Sequence, residues 1–146
     1  MRTIGSILLA GMFLALSQAH AQESNTNLQQ VGTTAEIMRW MIYPTSNDIF
    51  NVQRTVPRND FEWEKLERSA LTMAEAGNLL MIGTRVKDQG GWIKNSKMLI
   101  EVGVRALKLA KAKDGDALAA LNEDLNTACV TCHQEYRPRR QAPRGQ

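Results

Sequence analysis

The chain has 146 residues, and its 18 Lys and Arg against 15 Asp and Glu leave a net charge of +3. So small a basic excess argues against a dedicated nucleic-acid-binding protein, because such proteins carry a strong basic patch. The length is enough for one hydrophobic core and hardly for two.

The amino terminus has the pattern of a secretory signal peptide. Arg2 gives a positive start, an apolar stretch runs from Ile7 to Leu16, and Ala-His-Ala at positions 19–21 supplies a cleavage site. We predict that residues 1–21 are removed, an uncleaved anchor being the alternative. The apolar stretch is too short for a membrane span, and no later segment approaches that length. The sequence therefore indicates a periplasmic protein with no stable membrane insertion.

Four helices are predicted from the apolar periodicity of the mature chain. The first begins near Thr33, because Thr33 and Glu36 fit a capping box. Pro44 lies inside the apolar pattern, so this helix should kink there or stop and restart at Thr45 or Ser46. Its apolar positions include Ile37, Met38, Trp40 and Met41.

The second helix is predicted to begin at Asn59 or Asp60, and Gly83 or the Gly-Gly pair at positions 90–91 is predicted to end it. The third runs from about Trp92 to Lys113, and basic residues in its last turns favour the helix dipole. Three- and four-residue steps predict the inward faces, which are Trp63, Leu66, Ala70, Met73, Ala74, Gly77, Leu80 and Met81 on the second helix and Leu99, Val102, Ala106 and Leu109 on the third.

The fourth helix is predicted to be capped at Asp114 and to continue through the remaining apolar positions near the carboxyl end. Its inward face is Leu118, Leu121, Leu125, Ala128 and Cys132. Neither sustained alternation nor a hairpin dipeptide predicts a strand. The fold class is therefore all-α, an antiparallel four-helix bundle over residues 22–137. Residues 138–146 are predicted to form a basic flexible tail.

Cys129, Cys132 and His133 form a Cys-x-x-Cys-His motif, which is typical of c-type haem attachment. Residues three apart lie on one helix face, so both thiols can reach one haem while the histidine ligates its iron. A zinc site is disfavoured because no further Cys or His pair completes four ligands. A redox dithiol would need a βαβ setting, and a disulfide between residues three apart on a helix is geometrically poor.

An exported chain with four predicted helices and this motif near its end resembles the cytochrome c′ family. The segment from Cys129 to Arg137 looks like the haem helix of that family, including an aromatic-basic pair after the histidine. The resemblance implies one haem c bound covalently to Cys129 and Cys132. It also implies that His133 is the proximal iron ligand and that Arg137 lies close to the proximal side.

The other axial position stays open. His133 is the only histidine of the predicted mature chain, so two histidines from one chain cannot ligate the iron. In the family, the residue over the distal face comes from the first helix: it is Met in low-spin members and an apolar blocker in five-coordinate members. Met38 fits that location best, and Met41 lies one turn further. Core packing is the alternative for both methionines.

Two functions follow from these alternatives. Met38 as an iron ligand favours electron transfer with redox partner proteins, which is the function that we favour. An open or weakly closed site favours binding of nitric oxide or carbon monoxide. Enzymatic activity is not predicted, because no distal histidine can act as an acid–base catalyst. The resemblance also implies a homodimer through the first two helices, with Trp40, Tyr43 or Phe50 contributing, although a monomer explains these aromatics equally well.

Overall fold

The structure, a computed structural model, describes residues 28–137, so the predicted signal peptide, its cleavage site and the basic tail lie outside the described residues. All regular structure within that range is helical, and no strand occurs there. Among residues 28–137, no helix combines the length and the hydropathy that crossing a membrane requires.

The first predicted helix is a continuous run of three elements, which we call the N-terminal helix. These are α1 (Thr34–Glu36), a π-helix (Ile37–Ile42) and α2 (Tyr43–Asn51). Thr33 Oγ1 accepts a hydrogen bond from the Glu36 N–H at 3.2 Å, and Glu36 Oε2 accepts one from the Thr33 N–H at 2.8 Å. The predicted capping box and the predicted start of the helix are therefore confirmed.

Pro44 does not make this helix stop and restart, contrary to one of the two predicted outcomes. Proline has no N–H, and its ring clashes with the carbonyl four residues earlier. The chain widens into a π-helical turn, in which the Tyr43 N–H bonds to the carbonyl of Met38, five residues earlier. The Thr45 hydroxyl donates to the carbonyl of Met41 at 2.6 Å, which satisfies an acceptor in the altered ladder.

The second and third predicted helices are α3 (Asp60–Leu79) and α4 (Gly91–Lys111). Asn59 Oδ1 accepts from the Glu62 N–H at 3.0 Å, as the predicted cap requires. The predicted end of α3 at Gly83 or at the glycine pair is wrong. A 3-10 helix, Gly83–Arg85, follows α3, and the buried Arg85 donates from Nη1 to the carbonyl of Leu79 at 2.8 Å, which caps α3 at that residue.

The fourth predicted helix is two helices, α5 (Gly115–Ala120) and α6 (Asn122–Tyr136), with one turn residue, Leu121, between them. Asp114 caps α5, because its Oδ1 accepts from the Ala117 N–H at 2.9 Å. On the second, third and fourth predicted helices, the predicted inward positions are buried, except for three that are partly buried: Met81, Leu109 and Cys132. On the first, Ile37 is buried and Met38 and Met41 are partly buried, but Trp40 is exposed, so the prediction is wrong for Trp40.

Helices α3 and α4 run antiparallel at very close range. A Cβ placed on Gly103 of α4 would lie 2.9 Å from the backbone of Ala74, and one placed on Gly77 of α3 would lie 3.3 Å from the carbonyl oxygen of Ser96. Residue numbers therefore rise along one helix as they fall along the other. The absence of side chains at Gly77 and Gly103 allows the two backbones to approach this closely.

Helix α6 packs against α4 and, much more sparsely, against the N-terminal helix. Asn95 of α4 contacts Glu135 and Arg105 contacts Asp124, so α4 and α6 are antiparallel. We call the contact zone between the N-terminal helix and α6 the seam. One of its contacts is a hydrogen bond from Asn122 Nδ2 to a carbonyl of α2 at 3.2 Å. The described helices thus form an antiparallel bundle whose first and last members meet loosely.

Candidate functional site

The Cys-x-x-Cys-His motif lies in the second half of α6. Cys129 and Cys132 are half-buried, whereas His133 is exposed, and the two thiols are not joined in a disulfide. On an α-helix, residues three or four apart share a face. Cys129, Cys132 and His133 therefore project from neighbouring positions of α6 toward the seam rather than toward separate sides of the bundle.

A cavity of about 30 Å³ lies at this end of the seam. The surface exposed to it is almost wholly apolar, although polar residues also belong to its wall, and the lining includes the whole motif together with one methionine of the N-terminal helix. The lining residues are Met38, Ile42, Leu80, Asn95, Ser96, Leu99, Ala128, Cys129, Cys132 and His133. The structure therefore brings Met38, Cys129, Cys132 and His133 to one place, although Met38 and the motif lie near opposite ends of the described chain.

The π-helical turn determines which residues of the N-terminal helix face inward. Ile37 and Ile42 are both buried, with 7% and 6% of their surfaces exposed. Residues five apart on an α-helix point about 140° apart, whereas an i→i+5 ladder returns them to one face. Met38, next to Ile37, thereby lines the cavity together with Ile42, and Met41 is half-buried outside its lining.

The chemistry of the donor set fits a covalently bound haem. Two unpaired thiols and a histidine follow one another on α6, and a soft thioether lies across the cavity. The volume of the cavity does not match the macrocycle, because pockets for organic ligands of drug size enclose about 300–1,000 Å³. Attachment of a haem at Cys129 and Cys132 would thus require the N-terminal helix and α6 to move apart.

A polar groove of about 690 Å³ lies next to the cavity along the same seam. On α6, Asn122 and Asn126 line the groove, and Cys129 and His133 line the cavity, at helical steps of four, three and four residues. The side-chain Oδ1 of Asn122 is buried and has no hydrogen-bond partner among the described residues. The seam is therefore incompletely packed over most of the length of α6.

Burial changes the acidity of all three residues of the motif. It raises the pKa of the Cys129 thiol, and it raises the pKa of the Cys132 thiol together with the Glu135 carboxylate. Burial, followed by the charge of Arg137, lowers the pKa of His133. At neutral pH, both cysteines are accordingly thiols and His133 is neutral, which is the form of histidine that ligates a metal.

Arg137 lies just beyond the end of α6 and is exposed. Its backbone N–H donates to the carbonyl of His133 at 3.1 Å, and its side chain does not line the cavity. The described residues include no group of three or more His, Cys, Asp or Glu side chains that could hold a bare metal ion. The role of Arg137 beside a haem stays a prediction.

Two polar residues of the cavity, Asn95 and Ser96, were not identified from the sequence. Both are buried on α4 at positions between the inward-facing Trp92 and Leu99. Two neighbouring polar residues on an otherwise apolar helix face could have pointed to them, because buried polar side chains need hydrogen-bond partners or a function.

Two of the three aromatics predicted to contribute to a dimer are accessible on the surface. Trp40 and Tyr43 are 65% and 66% exposed, whereas Phe50 packs against the core.

Comparisons with protein-family models, with curated proteins and with solved structures gave no match for this chain.

Proposed function

We propose that this protein is a periplasmic c-type cytochrome that carries one covalent haem c and transfers electrons. Cys129 and Cys132 would hold the haem, and His133 would ligate its iron. The observation that supports this proposal is the shared cavity, in which Met38 lies with the complete Cys-x-x-Cys-His motif. When bound, the haem supplies reversible one-electron chemistry.

The two cysteines of the motif could hold a haem through thioether bonds alone. Each thiol would add across a vinyl double bond of the haem, so that its sulfur would form a C–S bond and its hydrogen would go to the other vinyl carbon. No oxidant is required, since one S–H and one C=C bond are exchanged for a C–S and a C–H bond. The raised pKa values of Cys129 and Cys132 keep both groups in the thiol form.

Met38 is the residue that bears on electron transfer. Its thioether is soft and uncharged, so it can face iron in either oxidation state without gaining or losing a proton. Met38 and His133 would both be available to hold the iron in either oxidation state. The apolar lining provided by Ile42, Leu80 and Leu99 would exclude water from that side.

The second candidate function is the binding of nitric oxide or carbon monoxide. It is favoured by the lining of the site, because the apolar side chains beside Met38 suit an uncharged diatomic molecule better than a polar substrate. A weak thioether ligand can be displaced, so this function requires only that Met38 leaves the iron.

Expression of the full-length chain in a host that attaches haem c tests the proposal, with the double variant Cys129→Ser and Cys132→Ser as the control. We expect a Soret band that survives acid–acetone extraction in the wild type and is lost in the variant. A wild type without covalent haem would overturn the proposal. Spectra with and without carbon monoxide then separate the functions: no response of the reduced protein supports electron transfer, and a clear shift supports gas binding.

A further inference from the structure

We propose that Asp88, Gly91 and Tyr136 form a clamp that positions His133, an inference that rests on the proposed haem function. The clamp joins the amino end of α4 to the carboxyl end of α6. Its members lie outside the cavity and act on His133 through the backbone of α6. They are therefore positioning residues rather than ligands.

The clamp is built around the carboxylate of Asp88. Tyr136 Oη donates a hydrogen bond to Asp88 Oδ2. The other oxygen, Oδ1, accepts from the N–H groups of Gly90 at 2.8 Å and Trp92 at 3.2 Å. One carboxylate thus caps the start of α4 and binds the last residue of α6 at the same time.

Trp92 connects the clamp to the wall of the cavity. The rings of Trp92 and Tyr136 meet edge to face, with centroids 5.0 Å apart and planes at 86°. The buried indole N–H of Trp92 donates to the carbonyl of Leu80 at 2.8 Å, and Leu80 lines the cavity. A displacement of Tyr136 would therefore be transmitted to the same cavity that the motif lines.

Gly91 leaves room for this arrangement. A Cβ at position 91 would lie 2.5 Å from Tyr136 Oη and 2.6 Å from a carboxylate oxygen of Glu135. Glu135 itself accepts a hydrogen bond at 3.2 Å from the side-chain amide of Asn95, a buried residue of the cavity lining. The last turn of α6 is consequently fixed to α4 at two successive residues.

His133 depends on this fixation because one side of its imidazole is open to solvent, although the residue also lines the cavity. Its side chain is exposed, whereas Glu135 and Tyr136 follow it within one helical turn. The position of the α6 backbone therefore determines where the Cβ of His133 lies, and hence which points its imidazole can reach. Groups that orient a metal ligand without touching the metal commonly change its affinity by about 10–100-fold when they are removed.

The experiment is an acid titration of the haem absorption spectrum, performed on the full-length haem-loaded protein and its Tyr136→Phe variant. The midpoint reports protonation of His133 and its loss from the iron. Each tenfold loss of affinity for iron raises this midpoint by about one pH unit. We expect an increase of about one unit for Tyr136→Phe and none for Tyr43→Phe, since Tyr43 is exposed on the N-terminal helix.

A second pair of variants tests the clamp without removing the hydroxyl. Gly91→Ala should raise the midpoint, because the new methyl group displaces Tyr136 and Glu135. Gly32→Ala is the matched control, since its Cβ would meet nothing nearer than 3.5 Å. Val102→Ala, which weakens the buried face of α4, should lower the urea midpoint of unfolding and leave the acid midpoint of His133 unchanged.

The outcomes are distinguishable. A wild type that carries no covalent haem overturns both the proposed function and the clamp. If the wild type carries haem, and both Tyr136→Phe and Gly91→Ala have the same acid midpoint as the wild type, the clamp alone is overturned. The clamp is also overturned if Val102→Ala raises the acid midpoint as much as the clamp variants do, because the midpoint would then report global stability rather than the position of His133.

Discussion

The interface between α3 and α4 and the seam between the N-terminal helix and α6 are built in opposite ways. At the first, Gly77 and Gly103 allow two helix backbones to approach so closely that a Cβ would clash. At the second, an apolar cavity and a polar groove separate the helices. The α3–α4 half of the bundle is therefore the closely packed half, and the half that contains the N-terminal helix and α6 is the one with space between its helices.

The motif and Met38 lie on the two helices of the looser half, and residues of α4 complete the wall of the cavity. Met38 comes from the N-terminal helix, and Cys129 and His133 come from α6. A bulky group can enter only between helices that are able to separate, since close-packed interiors resist changes of even one methylene. We therefore expect substitutions at the α3–α4 interface to change stability and substitutions at the seam to change the haem spectrum.

The largest effect on stability is expected for Gly103→Ala. The added methyl group would lie 2.9 Å from the backbone of Ala74, which cannot move aside as a flexible side chain could. Overpacking should outweigh the helix propensity of alanine, so the free energy of unfolding should fall by about 1–2 kcal/mol. Urea unfolding measures this fall, and Val104→Ala, at an exposed neighbour, should stay within about 0.5 kcal/mol of the wild type. Equal stability of all three proteins would contradict the close packing of α3 and α4.

Met38→Leu should have a smaller effect on stability and a larger one on the spectrum. Leucine conserves the volume of methionine, so the cost in unfolding free energy should stay below about 1.5 kcal/mol. The replacement removes the thioether from the cavity, and spectral features of sulfur ligation should disappear from the oxidised protein.

Met41→Leu is the matched control for this substitution, because Met41 is half-buried but does not line the cavity. Its spectrum should equal that of the wild type. If Met41→Leu rather than Met38→Leu changes the spectrum, the assignment of Met38 is wrong. If neither variant changes it, neither methionine ligates the iron.

The smallest effect is expected from acid acting on Asp88. The hydrogen bond from Tyr136, and then those from the backbone N–H groups at the start of α4, hold the pKa of Asp88 below its ordinary value of 3.8. A lowered pKa means that the contribution to stability is present above that ordinary value and is lost as the pH falls through the folded-state pKa. The difference in urea midpoint between the wild type and Asp88→Asn should therefore shrink from pH 6 to pH 3. A difference that is the same at both pH values would contradict this role.

Most of the helical organisation was predictable because its signals are local. Thr33, Asn59 and Asp114 cap helices where the sequence predicted caps. The end of α3 was not predictable in the same way. It depends on Arg85, whose guanidinium reaches back to the carbonyl of Leu79 and also to that of Gly32 at 2.9 Å. The contact with Gly32 joins residues 53 positions apart, and such a contact leaves no periodic signal in the chain.

The candidate site was likewise predictable in part from the sequence. The spacing of Cys129, Cys132 and His133 identifies an attachment motif from three residues on one helix face. The choice between Met38 and Met41 at the cavity could not be made with certainty from α-helical spacing, because a π-helical turn alters the faces of that helix. The contacts among Asp88, Gly91 and Tyr136 join two helix ends and were not identified from the sequence.

The sequence by itself therefore determined the helices, their caps and the motif of α6, since each depends on residues within about one or two helical turns of one another. Only the tertiary structure decided where α3 ends and which groups fix the last turn of α6, and it placed Met38, which the family resemblance had favoured, in one cavity with Cys129 and His133. These features depend on the packing of distant segments, where a single buried guanidinium, a proline-induced π-turn or one missing Cβ determines the geometry.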